Sequence, residues 1–449
     1  MRSLLRAAAA LVLLVSCTGV ATGPSLTVPG RSQPPTSTPE PSGAARSFTL
    51  PPSTTGKESA AAVRTRLCVR PPAPSASPAA ATASPPAAVS EVEHEVEQVR
   101  GLDYEHPVAV DPVTHAQLVQ GLDASFDHSF PAGMLGRRSK AWATIGVIPP
   151  GTSLLDAYKG FLSSQVIGYY DPSSKQLVFI GTSNPSPVER FTLAHELTHA
   201  DDDQHFGLAK LNVLESRCDD EGLQAATGAV EGSAVYFSVQ VVQQFFSAGD
   251  QAKLALGGGG GSGLPAAVPP FVQHLEEWPY IDGPTFIRDI RSFGGLHEVN
   301  QAIATLPPST EQIMHPSHYP DDRPVEMNTP DLGPTLGPGW RDLDVMDTGE
   351  EWIREMLALR LDGSLANEGA DGWGGAQYRA WTDGTHVAVL LDTTWDTPDD
   401  ATQFLDVMRQ WTRGRDDAVV GSVEGNDRGV VALFGSDAAT LHRLEAALG

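Results

Sequence analysis

Five consecutive residues, His195-Glu196-Leu197-Thr198-His199, constrain this chain more than any other part of it. Residues four apart share one face of a helix, so a helical segment lets His195 and His199 grip a single metal ion. Glu196 can then reach a water at that ion and act as its general base. The flanking sequence predicts the helix. In Ser186-Pro187-Val188-Glu189, Ser stands at an N-cap, Pro at the first helical position and Glu three residues after the cap. Phe191-Thr192-Leu193-Ala194 carries the helix into the motif. The competing reading is a buried helix with two ordinary histidines.

The third ligand has two candidates. Glu231 is the only charged residue between Glu221 and Asp250, and it falls on or beside an apolar stripe of Leu223, Ala226, Val230, Ala234, Val241 and Phe245. A carboxylate buried there without a partner costs several kcal/mol, so a cation is its natural companion. Gly232, Ser233 and Ala234 predict a close approach to the HExxH helix. A solvent-facing glutamate on the helix rim is the bland alternative. His205 is the rival ligand, because HELTHADDDQH matches the longer template HExxHxxGxxH except for Asp202 at the glycine. Three acids in a row read instead as a solvated helix end. Asp203, four residues after His199, is expected to orient that ligand.

These residues resemble the zincin metallopeptidases of the gluzincin type, with HExxH plus a downstream Glu. The chain is also similar to bacterial secreted or lipid-anchored proteins that share Gly168-Tyr169-Tyr170-Asp171-Pro172, HELTH, Val230-Glu231-Gly232 and Ser309-Thr310-Glu311-Gln312. The resemblance spans about residues 95–330. It implies zinc held by His195, His199 and Glu231, with Glu196 as the base. It also implies an edge strand just before the HExxH helix that pairs with extended peptide substrate. Val166–Tyr170 and Gln176–Gly181, around Asp171-Pro172-Ser173-Ser174, read as that hairpin, with a purely structural hairpin as the alternative. A zincin also needs a donor for the oxyanion, and His315, Tyr319 and Tyr280 are the candidates, in that order.

Residues 1–16 read as a lipoprotein signal peptide, with Arg2 and Arg6 ahead of a short apolar core. Leu14-Val15-Ser16-Cys17 resembles a lipobox, which would leave lipid on Cys17 and anchor the chain to a membrane from outside the cytoplasm. Residues 17–90, rich in Pro, Ala, Ser and Thr, read as a disordered tether. Within it Cys68 could pair with Cys218, or both could remain thiols. The formal net charge of −25 argues against nucleic acid as a partner.

The expected fold class is α+β. A zincin-like domain over 91–335 combines the edge hairpin, the HExxH helix and the Glu231 helix. A small domain over 345–449 follows. In the latter, strands at Gln377–Thr382 and His386–Thr393 flank the turn Asp383-Gly384, and Pro398–Arg413 reads as a helix. Strands at Val419–Glu424 and Gly429–Phe434 and a helix at Ala438–Leu448 complete a ββαββα order, with helices on one face of an antiparallel sheet. Gly257–Gly263 reads as a mobile loop. The functional expectation is zinc-dependent hydrolysis of a peptide or protein substrate. The alternatives are a metal-stabilised binding lipoprotein and a hydrolase of a non-peptide cell-wall amide.

Overall fold

Residues that are apolar at both parities of a strand need cover on both faces of the sheet, and the C-terminal strands are of this kind. The structure, a computed structural model, describes residues 46–53, 56, 58–70, 85–121, 130–165, 168–180, 184–257 and 268–448. Its strands are β1 (Ser47–Phe48), β2 (Ala109–Pro112), β3 (Gly168–Asp171), β4 (Gln176–Phe179), β5 (Arg341–Asp347), β6 (Trp373–Thr382), β7 (Val387–Trp395), β8 (Ala418–Val423) and β9 (Asn426–Gly435). They form a six-stranded sheet in the order β1-β8-β9-β7-β6-β5 and a three-stranded sheet in the order β2-β4-β3. The class is α+β.

In β7, Val389 and Leu391 pack with Phe404, Met408 and Trp411 of the helix Pro398–Trp411. Their neighbours Ala388 and Leu390 pack with Leu441, Leu444 and Leu448 of the helix Ala438–Leu448. β9 repeats the division, with Val430, Ala432 and Phe434 on one side and Val431 and Leu433 on the other. The sheet therefore carries a helix on each face, which corrects the expected one-sided packing. The ββαββα core lies where the sequence places it, but β5 and β1 extend it to six strands.

The tether reading fails in two places. β1 pairs in parallel with β8, Ser47 opposite Ser422 and Phe48 opposite Val423. The helix Ala60–Leu67 buries Ala60 and Val63 against Val345 of β5. Small residues such as Ala60 can fill a gap on a preformed sheet, so a composition poor in large apolar residues concealed this contact. Cys68, directly after that helix, forms a disulfide with Cys218. The helix Ala87–Arg100 begins ahead of residue 91 and buries Val89, Val92, Val96 and Val99.

The helical core joins that valine stripe to Leu193, Ala194 and Leu197, to Ala229 and Val230, and to Phe286, Ile287 and Ile290. These come from the HExxH helix (Pro187–Phe206), the Glu231 helix (Asp220–Phe245) and the helix Asp282–Thr305. The other large core runs from Trp142 and Tyr169 through Trp352 to Phe434, so it belongs to both the helices and the sheet. Among the described residues, no helix is long and apolar enough to cross a membrane. The signal segment, Cys17 and the glycine run beyond Gly257 lie outside the described residues.

Candidate metal centre

The HExxH helix starts as the sequence predicts. The Ser186 hydroxyl accepts from the Glu189 N–H at 3.3 Å, and the Glu189 carboxylate accepts from the Ser186 N–H at 2.7 Å. The Glu231 helix starts at Asp219, whose side chain accepts from the Gly222 N–H at 3.0 Å. Gly232, expected from sequence to allow a close approach to the HExxH helix, serves another contact. A Cβ there would lie 2.3 Å from the carbonyl carbon of Gly283, so the glycine lets the helix Asp282–Thr305 cross the Glu231 helix. Its neighbour Ser233 is the residue that meets the HExxH helix, donating to Asp202 at 2.7 Å.

His195, His199 and Glu231 converge. The two Nε2 atoms are 3.0 Å apart, and Glu231 Oε2 lies 3.1 Å from one and 3.5 Å from the other. All three side chains are at most 1% exposed. Burial opposes the charge on Glu231, but the imidazoles of His199 and His195 outweigh it and hold the carboxyl at about 2. Glu231 Oε1 is buried with no hydrogen-bond partner among the described residues. Two ring nitrogens and a carboxylate aimed at one point are a donor set that fits a zinc ion, and the second carboxylate oxygen of Glu231 is a buried acceptor that such an ion would satisfy.

Glu196 is buried beside this trio without joining it. Its Oε2 accepts from the backbone N–H of Tyr170 at 2.8 Å. Burial pushes its carboxyl up to about 7, against the pull of both imidazoles and of the Tyr170 N–H, while the Glu231 charge adds to the rise. That contact also redefines the hairpin. Among the described residues β3 is an edge strand, paired only with β4. Its outer side faces the HExxH helix, all four of its residues are buried, and the Tyr170 N–H is taken by Glu196. The expected strand pairing with substrate does not have that N–H at its disposal.

The acids after the motif are not a solvated helix end. Asp201, Asp202 and Asp203 are all buried. Asp202 binds Arg100 at 2.8 Å, and Arg100 in turn donates to Asn300 and lies over the Phe237 ring. Asp203 accepts from the Tyr170 hydroxyl at 2.8 Å, the Lys175 ammonium at 2.6 Å and the Leu208 N–H at 2.8 Å. It therefore fastens the hairpin and the next turn of chain, and it does not orient His199. His205 is not drawn to the site either. The helix continues to Phe206, so its Nε2 meets the Asp103 carbonyl at 2.9 Å and Asp201 at 3.4 Å.

Of the three oxyanion candidates, Tyr280 has a ring against the motif, 6.1 Å from His195 between centroids and nearly parallel to it. The two ranked above it have other neighbours. His315 binds Glu350 at 2.8 Å, and the Tyr319 ring packs edge-on against Phe286. Tyr280 also lines a cavity of about 170 Å³ together with Trp142, Thr227, Glu276, Glu351 and Trp352.

Sequence reasoning passed over Arg100 and Tyr170. Arg100 continues the Val92–Val96 stripe at helical spacing, which puts a cation on an apolar face and was a readable signal. The Tyr170 contribution is a backbone N–H, which no side-chain pattern encodes. No curated protein matches this sequence. A protein family described as a domain of unknown function, DUF8575, matches residues 342–444, the sheet region and not the HExxH site. A crystal structure described as "a putative hydrolase with a novel fold", from Chloroflexus aurantiacus, is similar over 53% of this chain and 91% of that one, at 14% identity and a TM-score of 0.35.

Proposed function

We propose that this chain hydrolyses peptide bonds as a zinc metallopeptidase, held outside the cytoplasm by lipid on Cys17. The observation that carries the reading is the buried convergence of His195, His199 and Glu231 next to an uncoordinated, immobilised Glu196. Zinc bound by the three would supply Lewis-acid polarisation of a water and of the scissile carbonyl. Glu196 takes the proton of the attacking water and returns it to the leaving amine. Its carboxyl, raised to about 7 by burial, is close to the range in which one group can do both. The Tyr170 N–H holds one oxygen of that carboxylate. Tyr280, alongside His195, donates to the developing oxyanion. The cavity lined by Tyr280, about 170 Å³, is large enough to accept a substrate side chain.

A second reading draws on the hairpin. With the Tyr170 N–H committed to Glu196, an extended peptide loses part of the edge it would pair with, which favours a compact cell-wall amide as substrate.

The test is Glu196→Gln in the full chain. Zinc content should stay as in the wild type, while hydrolysis of a broad peptide library falls by about 10² to 10⁴. An unchanged rate removes Glu196 from the chemistry. Chelator-insensitive activity, or none on peptides and some on cell-wall fragments, overturns the peptidase reading.

A further inference from the structure

The segment Ser309-Thr310-Glu311-Gln312 has no part in the site just described, and three of its four residues have evident structural tasks. Ser309 caps the short helix Thr310–Met314 by accepting from the Gln312 N–H at 3.3 Å. Thr310 donates its N–H and hydroxyl to Glu221 at 2.6 and 2.9 Å, and its hydroxyl also accepts from the Glu351 N–H. The Gln312 side-chain amide donates to the Asp322 carbonyl, folding the following loop back onto the helix. Glu311 has no such task, yet it is only 1% exposed.

Its surroundings make that burial costly. Burial pushes the Glu311 carboxyl up to about 9, and the charges that add to the rise are all carboxylates: Glu350, Asp396, Asp322 and Glu221. Glu311 Oε1 lies 3.3 Å from His318 Nδ1, which lies 3.4 Å from Asp322 Oδ2. Both separations are ion-pair distances just beyond the ordinary range of an N–H···O hydrogen bond. None forms, and both Glu311 Oε1 and His318 Nδ1 are buried atoms without a hydrogen-bond partner among the described residues. Buried polar atoms that approach one another and leave their lone pairs unused are directed at something between them. All three ligand atoms lie within 4.8 Å of one another, as those of His195, His199 and Glu231 do. The neighbouring His315 has its own partner in Glu350 and stacks against His318 at 5.3 Å, which fixes the ring that presents Nδ1.

We propose that Glu311, His318 and Asp322 form a second divalent-cation site, independent of the HExxH site. An imidazole with two carboxylates suits a first-row ion such as zinc or manganese, whereas calcium takes six to eight oxygens. The ion offsets the excess of carboxylates and clamps the loop from His315 to Asp322 onto the short helix. That loop carries Tyr319, packed on Phe286 of the helix that crosses the Glu231 helix at Gly283. The site is structural, and its occupancy braces the back of the Glu231 helix. The competing account is a protonated His318 shared by two carboxylates with no ion.

The experiment counts metal in the full chain. Chelator-treated protein is refilled with zinc, freed of excess by gel filtration and analysed by plasma mass spectrometry. The wild type should hold two equivalents. Asp322→Asn changes a side chain 40% exposed and should remove one of them, and Glu311→Gln should do the same. His195→Ala with His199→Ala should remove the other, and the combined variant should hold none. If Glu311→Gln fails to fold, as read by circular dichroism, Asp322→Asn decides alone. Metal content unchanged by Asp322→Asn, with affinity for the second equivalent within about threefold of the wild type, overturns the proposal, since losing a true ligand should cost at least the tenfold or more typical of an outer-shell change. A wild type with a single equivalent that Asp322→Asn abolishes keeps this site and instead removes metal from the HExxH site.

Discussion

Every residue of the HExxH helix from Phe191 to Asp203 is buried, and two histidines, Glu196 and three aspartates are among them. β7 buries Val387 to Leu391 without one polar side chain in the run. The sheet also buries a matched charge: the fully buried Arg379 lies 2.8 Å from Asp342, as Arg100 lies 2.8 Å from Asp202 in the helical region. Around the HExxH helix, by contrast, Glu231 Oε1 and both carboxylate oxygens of Asp201 have no hydrogen-bond partner among the described residues. Burying a carboxylate oxygen without a hydrogen bond costs stability, so oxygens left this way beside the histidines are arranged for something other than stability. The sheet is closed on both faces by apolar side chains.

Removing the cation beneath the helical network should break this contrast most forcefully. Arg100→Met leaves Asp202 buried with only Ser233 as a donor, and unfolding stability should fall by about 3–5 kcal/mol in urea titration. A loss below about 1 kcal/mol would mean that the helical region is also held by apolar packing. Next in size is the disulfide, which ties a segment packed on β5 to the start of the Glu231 helix. Replacing both Cys68 and Cys218 by Ser should cost about 2–4 kcal/mol. If the two regions differ as argued, calorimetry of that variant should resolve the helical region melting ahead of the sheet.

The smallest effect tests an exception inside the sheet itself. Burial raises the Asp392 carboxyl of β7 to about 7, with a hydrogen bond to Thr329 pulling the other way. The folded chain therefore binds this proton more tightly than the unfolded chain does. The resulting stabilisation is complete below the ordinary aspartate range, near ~4, and is lost as pH rises through the folded value. The melting temperature should fall between about pH 4 and about pH 7, and Asp392→Asn, always neutral, should reduce that fall. An identical fall in the variant would assign the dependence to the helical region.

Legibility followed the same divide. The Asp383-Gly384 turn and the apolar runs beside it placed the β6–β7 hairpin, although β6 starts four residues ahead of the expected Gln377. The HExxH helix was equally readable from its capping box. What escaped depends on partners distant in sequence. Asp203 meets Tyr170 and Lys175 of the hairpin and not the adjacent turn of its own helix, and Gly232 answers to Gly283. Whether an acid at a helix end is solvated or buried is decided by what packs over it, and Arg100 arrives from a helix about a hundred residues earlier. The cover on the second face of the sheet could have been inferred from the unbroken apolar run in β7.

The pairing of β1 with β8 imposes an order of events. Thr49, which follows β1, hydrogen-bonds to Glu424 across 375 residues of chain. During synthesis the segment around Ser47 emerges early and must wait, unpaired, until the hairpin of β8 and β9 has been made. Its own pairing then closes the longest loop in the sheet, a slow step by the entropy of closure. The edge of β8 is exposed to other chains until that moment, so the interval between making the hairpin and docking β1 is when this protein is most prone to aggregate.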